Sequence, residues 1–468
     1  MEFPMEEFIP ESVQKRIIEI GEQVSEGLRQ IYQEMMPDEG KDLQTIEEAI
    51  RALMRGTGLA SIEEMAGQYD RHHRKGARTC PGCGKKHQWK RYEARQCIST
   101  LGEFMIDRAY YYCSDCRAGW CPLDERLGLG RSELSPVAEQ IASYAGAFMP
   151  FATAADFLAR SHLLNISHDS VNRASVRIGE RLRQEQNGLI EAVEKGEFAY
   201  PTGPEESPET LYLSADGVRY LTTDGRGREL KVAVVYETAL QPNTKGILEP
   251  HTLHPDYVVS SQTPSDFRVV VDVLAQRRGV RQAQRTAVVQ DGAPWLWDHI
   301  APLAGPVRIE IIDFYHTAGY LSAAVEALLP PDQRAFWKHL LLNHLKLDDQ
   351  GVEHLTQVLL CLSADLPEIP TDVQEALDYL ARYGARMHYA HYRQNHLQIG
   401  SGTVESAANR LVSARLKQAG MRWNPVHAEA LAQVRAAILS QQAWDRFWNT
   451  YRPGPRTYRR KQGFSRAA

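Results

Sequence analysis

"LYLSADGVR", Leu211–Arg219, is the stretch on which the fold turns. It reads as a β-strand that ends in Asp216-Gly217, and a second strand, "RTAVVQDG" (Arg285–Gly292), ends the same way at Asp291. A strand closing on Asp-Gly is commonly just a turn, so neither aspartate carries chemistry alone. What lies between and after them changes that. "RELKVAVVYETAL" follows across the turn signal Asp224-Gly225, and "DYVVSSQ" supplies a third strand. "SDFRVVVDVLAQRRG" predicts a helix with Ser265 at its N-cap and Gly279 past its end. "PWLWDHIAPLAG" predicts a helix opened by Pro294, and "VRIEIIDFYH" a fifth strand. Much later, "IGSGTVESAANR" (Ile399–Arg410) starts a helix, expected to run from Thr403 to Ser440, whose Glu405 sits at the edge of the apolar face.

This order is that of a ribonuclease-H-like core, in which the fourth strand lies beside the first. Neighbouring strands are about 4.8 Å apart, so Asp216 and Asp291 are expected to share one divalent cation and Glu405 to hold a second. Hard carboxylate oxygens suit Mg²⁺, or Mn²⁺ in its place. Two such ions about 3.5–4 Å apart serve the attacking and leaving oxygens of an in-line phosphoryl displacement. Asp313, on the fifth strand, competes for the second role but lies one strand further off, about 9–10 Å laterally. Asp313 and His316 are expected as an accessory pair that positions a phosphate or stabilises the fold.

The chain has 468 residues and a formal charge of −5, with 43% hydrophobic and 24% charged residues. That implies several globular domains, and no apolar run reaches the length of a membrane span. The acidic "MEFPMEEFIPESVQKR" lacks a signal pattern, which predicts a cytoplasmic, nucleoid-associated protein with no membrane partner. The average charge hides an asymmetry. Residues 1–70 hold roughly ten more acidic than basic side chains, whereas "RHHRKGARTCPGCGKKHQWKRYEAR" and the tail "RPGPRTYRRKQGFSRAA" are basic. Interleaved His87, Trp89, Tyr92 and Tyr458 suit a polyanion partner.

Six of the seven cysteines fall between Cys80 and Cys121. Cys80-Pro-Gly-Cys83 and Cys113-Ser-Asp-Cys116 form a CxxC…CxxC pair, each a knuckle turning two thiolates toward one tetrahedral ion, so a structural Zn²⁺ in a zinc ribbon is expected. Cys97 and Cys121 are read as buried rather than ligating. "ATAADFLARSHLLNISHDSVNRASVRIGERLR" fits helix, turn at Leu164–Ile166, helix. The pattern suits an ordinary helical hairpin or a DNA-reading helix-turn-helix. Beside the basic run the second is expected, with Ser170, Asn172, Arg173 and Arg177 exposed. Arg410, Arg415, Lys417 and Arg422, on and after the Glu405 helix, are candidate grips on a DNA backbone. Three histidines in "RMHYAHYRQNH" lack the cysteine or second pair that zinc favours.

The sequence therefore predicts a multidomain α+β chain. Its expected segments are N-terminal helices (1–75), a zinc ribbon (76–130), a helical DNA-binding region (131–199) and, after the proline-rich linker Tyr200–Thr210, a core (207–316). A helical insertion (317–398), the last core part with the Glu405 helix (399–445) and a basic tail (446–468) complete it.

"LYLSADGVR", "VVQDGAPWLW", "IEIIDFYHTAGYL" and "IGSGTVESAANRLVSARLKQAGMRW", with "CPGCG…CSDCRAGWCPLDERLGL", together resemble the bacterial insertion-sequence DDE transposases of the ISKra type, relatives of the Mutator-like group. The likeness covers about residues 79–440 and leaves the acidic residues 1–70 unexplained. It implies a triad of Asp216, Asp291 and Glu405, an Asp-x-x-His motif at Asp313 and His316, and a core interrupted by a helical insertion. It further implies binding of double-stranded DNA at the element's terminal repeats, Mg²⁺-dependent strand cleavage, 3′-OH strand transfer and a homodimer or larger assembly. A non-catalytic DNA-binding regulator, and a nuclease or resolvase that cuts without joining, are the alternatives.

Overall fold

The structure is a computed structural model that describes residues 11–35, 42–71, 76–244, 246–348, 350–452 and 458–459. His72, His73, Arg74 and Lys75 of the basic run, and most of the basic tail, lie outside these residues. The fold is mixed α+β and divides into two units: Met1–Gly146 with Pro150–Ala174 and Trp448–Ala468, and Ala147–Met149 with Ser175–Phe447.

In the first unit, helices α1 (Glu11–Met35) and α2 (Leu43–Arg71) pack as a pair. A two-stranded ribbon, β1 (Arg78–Thr79) and β2 (Lys86–His87), precedes the long antiparallel hairpin of β3 (Trp89–Ser99) and β4 (Gly102–Cys113), and β5 (Ala118–Trp120) extends that sheet. Alternating side chains of β3 and β4 bury Cys97, Phe104 and Ile106 with Ala66 of α2 and Leu129. Short α3 (Pro122–Arg126) supplies Asp124, whose buried carboxylate pairs with Arg95 at 3.0 Å and Arg108 at 2.6 Å. Helices α4 (Pro136–Phe148) and α5 (Phe151–Arg160) follow.

Helix α6 (His168–Glu194) crosses the division, which falls within it rather than at the linker Tyr200–Thr210. The cause lies on its later turns. Gly179 leaves no room for a Cβ against the Ala430 backbone, Gln186 meets Gln433 at 2.6 Å and Asn187 meets Gln262 at 3.0 Å.

The second unit is built on five strands: β6 (Thr210–Leu221), β7 (Gly227–Pro242), β8 (Leu248–Ser260), β9 (Arg285–Gln290) and β10 (Ile309–Ile312). Their order is β10-β9-β6-β7-β8, antiparallel among β6, β7 and β8 and parallel among β6, β9 and β10. Pro250 and Pro255 fall on the edge strand β8, where no second partner needs their missing N–H. Helix α7 (Pro264–Arg278) returns the chain from β8 to β9. Its N-cap is Thr263, not Ser265, because Pro264 occupies the first helical position; Gly279 ends it at φ 73° as expected.

After β10 come α8 (Phe314–Leu328), α9 (Pro331–Leu347), α10 (Gly351–Ser363), α11 (Thr371–Tyr383) and α12 (Tyr389–Gln394). The expected continuous helix from Thr403 to Ser440 is broken. α13 (Gly402–Ala408) runs through a π-turn into α14 (Ala414–Leu416), and α15 (Pro425–Leu439) starts afresh, before α16 (Ala443–Thr450). The break is local chemistry: Pro425 opens α15, Asn424 accepts from Val426 N, and Trp423 N donates to Leu221 O beside the β6–β7 turn. Among the described residues no helix is long and apolar enough to cross a membrane.

Candidate active site and cysteine cluster

β6 does not end at Asp216. It continues to Leu221, with Asp216 opposite Val232, and the chain turns only at Thr222–Arg226, where Gly225 has φ 80°. The Asp216-Gly217 pair is therefore mid-strand; the Glu229 side chain from β7 covers Gly217 where a Cβ would otherwise stand. On the parallel side the register runs from Thr210↔Arg285 to Leu213↔Val288. Asp216 and Asp291 each lie three residues past the last of these pairs, Asp291 just beyond the end of β9.

Side chains alternate along a strand, so Tyr212, Ser214 and Asp216 share a face. On that face Tyr212 stacks on Tyr236 with ring centres 5.0 Å apart. Tyr212 Oη accepts from Gln398 N at 3.3 Å, and Tyr236 Oη donates to Gln398 Oε1 at 2.8 Å. The hydroxyls of Thr252 and Thr403 meet at 2.6 Å. These bonds seat the segment leading into α13, which packs against both β6 and β7. Glu405 stands exposed on that helix, its Oε1 accepting from Ser401 Oγ at 2.7 Å. Asp216 is half-buried. Burial, and then the charges of Asp291, Glu405 and Glu229, push its carboxyl up to about 6, against the lowering effect of the Gly217 N–H.

Asp291 is also half-buried. Its Oδ1 accepts from Ala293 N at 2.9 Å, and among the described residues its other oxygen has no hydrogen-bond partner. Asp313 is different. It lies not on the fifth strand but one residue past β10, as the N-cap of α8. Its buried carboxylate accepts from Tyr315 N, His316 N and Ser401 N, so it ties the start of α8 to the approach of the Glu405 helix. His316 is exposed on the first turn of α8, 5.7 Å from the Tyr320 ring. Of the two roles expected for this pair, Asp313 fills the stabilising one. Sequence reading missed Tyr379 and Tyr383 beside Asp291: Tyr383 Oη donates to Gly292 O, and the Asp291 charge is among the causes that raise Tyr379, after burial. No local signal in α11 points to them, because the contact joins segments some ninety residues apart.

The expected cations divide. Arg410, Lys417 and Arg422 are exposed. Arg415 is not: it is 1% exposed, lies over the Trp423 ring at 5.0 Å, and burial holds it down at about 10. It is a core cation, because the π-turn after α13 rotates its position inward. On α6 Arg173 is exposed, whereas Ser170, Asn172 and Arg177 are half-buried. Arg95, at the end of the basic run, is buried on Asp124, and Lys85 and Arg91 pair with Asp115 and Glu93. The run therefore offers less free positive charge than its composition implies.

In the first unit the two CxxC knuckles, one in the β1–β2 turn and one between β4 and β5, meet. Cys80 Sγ lies 3.8 Å from Cys116 Sγ, and Cys83 Sγ 3.6 Å from Cys113 Sγ. Zn–S bonds of ~2.3 Å put the sulfurs of a tetrahedral site about 3.8 Å apart. Burial opposes ionisation of Cys80, but the backbone N–H groups of Gly82 and Cys83 hold it at about 7. Cys83, burial and the other thiols push Cys116 up to about 12. Thiols this close do not all ionise without a cation among them, and the four could hold a structural metal such as zinc. Cys97 and Cys121 are buried outside the cluster, as expected.

Among the described residues, two groups bring three or more metal-type ligand atoms within 4.8 Å of one another: these cysteines, and His344 with Asp348 and His354. Asp216, Asp291 and Glu405 do not close to that separation, and His388, His391 and His396 form no such group. No family model matches the chain, and no curated protein matches it.

Proposed function

We propose that the chain is a DNA transposase of the DDE kind, with a zinc-ribbon head, a helix-turn-helix-like region and a ribonuclease-H-like core into which 317–398 is inserted. The observation that carries the reading is the register of β6 and β9. Asp216 and Asp291 each follow the last paired residues of these adjacent parallel strands by three positions, and Glu405 rides a helix packed against β6, its charge with that of Asp291 acting on Asp216. The strand order, with the fourth strand beside the first, supports it independently.

The donor set fits hard divalent cations. All three groups are carboxylates, and burial, with the like charges of Asp291, Glu405 and Glu229, pushes the Asp216 carboxyl up to about 6. Divalent cations would be held by Asp216, Asp291 and Glu405 together, whose ligand atoms are not drawn into one tight cluster. When bound, Mg²⁺ or Mn²⁺ supplies positive charge at the attacking and leaving oxygens of a phosphodiester. The protein's own part is placement. Asp216 is fixed by the sheet and by Gly217 N, Asp291 by its bond from Ala293 N, and Glu405 by Ser401 Oγ. Asp313 is a positioning residue that clamps the approach to α13. Exposed Arg410, Lys417 and Arg422 hold the phosphate backbone, whose contacts position rather than specify. The reaction is hydrolysis of one strand at the element's end, followed by attack of the freed 3′-OH on a target phosphodiester, whose own 3′-oxygen leaves as a hydroxyl.

The test is incubation of the full chain with DNA carrying the repeats that border its coding region, plus Mg²⁺. Nicked and joined products are expected, and Asp216→Asn, Asp291→Asn and Glu405→Gln should lose both while still binding ends. Cutting without joining would make the protein a nuclease or resolvase, and binding without cutting a regulator.

A further inference from the structure

The geometry points to a second transition-metal site in the second unit: we infer that His344, Asp348 and His354 bind one divalent ion of the zinc class. Nothing in the proposed DNA chemistry uses these residues, and the inference does not depend on that reading.

The site is made by the sharp hairpin between α9 and α10. His344 occupies the last turn of α9, Asp348 follows four residues on as its C-cap, and His354 comes from the first turn of α10. Residues four apart on a helix share a face, which stacks His344 and Asp348. Gly351 lets the start of α10 press on the end of α9, since a Cβ there would stand 2.8 Å from the His344 carbonyl oxygen. Beneath the hairpin Leu341, Leu345, Leu355 and Leu359 are buried at 0–1% exposure, so the ligands stand on a rigid base.

Asp348 Oδ1 accepts from Gln350 N at 3.0 Å, which fixes the carboxylate and turns Oδ2 toward both rings. His354 Nδ1 lies 2.7 Å from Oδ2 and His344 Nδ1 3.8 Å from it. With Zn–N and Zn–O bonds of ~2.0–2.2 Å, neighbouring ligand atoms of a tetrahedral site are about 3.3 Å apart. The observed spacings bracket that value, so small side-chain rotations suffice. Two imidazoles and one carboxylate are the donors of a borderline ion, not of Mg²⁺, which prefers oxygen alone. Both histidines are exposed, so an ion reaches them from solvent, and the three ligands leave a fourth position open. Ligation through Nδ1 requires that nitrogen to carry no proton: a neutral ring meets this with its proton on Nε2, and a protonated ring releases its Nδ1 proton to water.

The experiment is calorimetric titration of the full chain with Zn²⁺, starting from protein whose cysteine cluster is already filled. Wild type should take up one further equivalent. His344→Ala and His354→Gln should weaken that uptake by more than the roughly 10–100-fold lost when an outer-shell partner is removed. His354→Gln keeps a donor for Asp348, so its melting temperature without added Zn²⁺ should match wild type, and only the Zn²⁺-induced rise should vanish. His391→Ala, on α12, should titrate like wild type. No further equivalent in wild type, or uptake unchanged in both ligand variants, would overturn the site.

Discussion

Replacing Asp216 by Asn takes one negative charge out of a half-buried place where those of Asp291, Glu405 and Glu229 act on it. In the folded chain this carboxyl sits at about 6, against an ordinary value of 3.8. The folded state therefore binds its proton more tightly than the unfolded chain does. Stability falls as pH rises through the window from about 4 to 6, and the whole penalty is present above it. About two pH units correspond to roughly 3 kcal/mol at 1.36 kcal/mol per unit. Part of that is recovered by water at a half-buried site, so roughly 2–3 kcal/mol is the upper range. Asp216→Asn should thus be more stable than wild type at pH 7.5 in a chelator that spares the cysteine cluster, and the difference should shrink to near zero at pH 4. Mg²⁺ should narrow the gap by stabilising wild type alone, since a ligand at ten times its dissociation constant adds about 1.4 kcal/mol. Chemical denaturation monitored by tryptophan fluorescence, at pH 4 to 8 with and without Mg²⁺, reads all three effects. An Asn variant no more stable than wild type at pH 7.5, or one that gains as much from Mg²⁺, would refute the reasoning.

Under the proposed two-metal reading, in which each carboxylate helps supply several kcal/mol of charge stabilisation, Asp291→Asn and Glu405→Gln should each lower strand cleavage at least about a thousandfold; filter binding should find end affinity within about twofold of wild type. Asp313→Ala should act on stability instead, costing about 2–4 kcal/mol in denaturation, since three backbone donors lose their acceptor. Arg415→Ala should lower the melting temperature and leave the salt dependence of DNA binding alone, whereas Lys417→Ala and Arg422→Ala should each reduce the salt slope by about one. Asp124→Asn should destabilise the first unit by about 3–5 kcal/mol, because Arg95 and Arg108 would stay buried with their charge uncompensated; unfolding with the metal retained measures it.

Local chemistry makes much of this legible in the sequence. CxxC spacing turns two sulfurs to one side whatever surrounds it, so the four cysteines could be grouped from sequence alone. The short apolar runs of β6 and β9 that lead into Asp-Gly, the Asp224-Gly225 turn and the cap at Gly279 are likewise short-range properties, and with them came the five strands. What sequence could not resolve were questions settled by partners distant along the chain. Asp216-Gly217 resembles a turn until β7 pairs along its whole length. Asp313 resembles a metal ligand until Ser401 N, arriving from 88 residues away, completes its set of donors. Arg415 resembles a surface cation until a π-turn and Trp423 enclose it, and Arg95 until Asp124 does. His344, Asp348 and His354 carry a readable interval, but only the tight α9–α10 hairpin makes it a cluster. In each case the residue type declares what chemistry is available, while burial and the neighbours brought by packing decide whether that chemistry is spent on holding the fold or left open to a ligand.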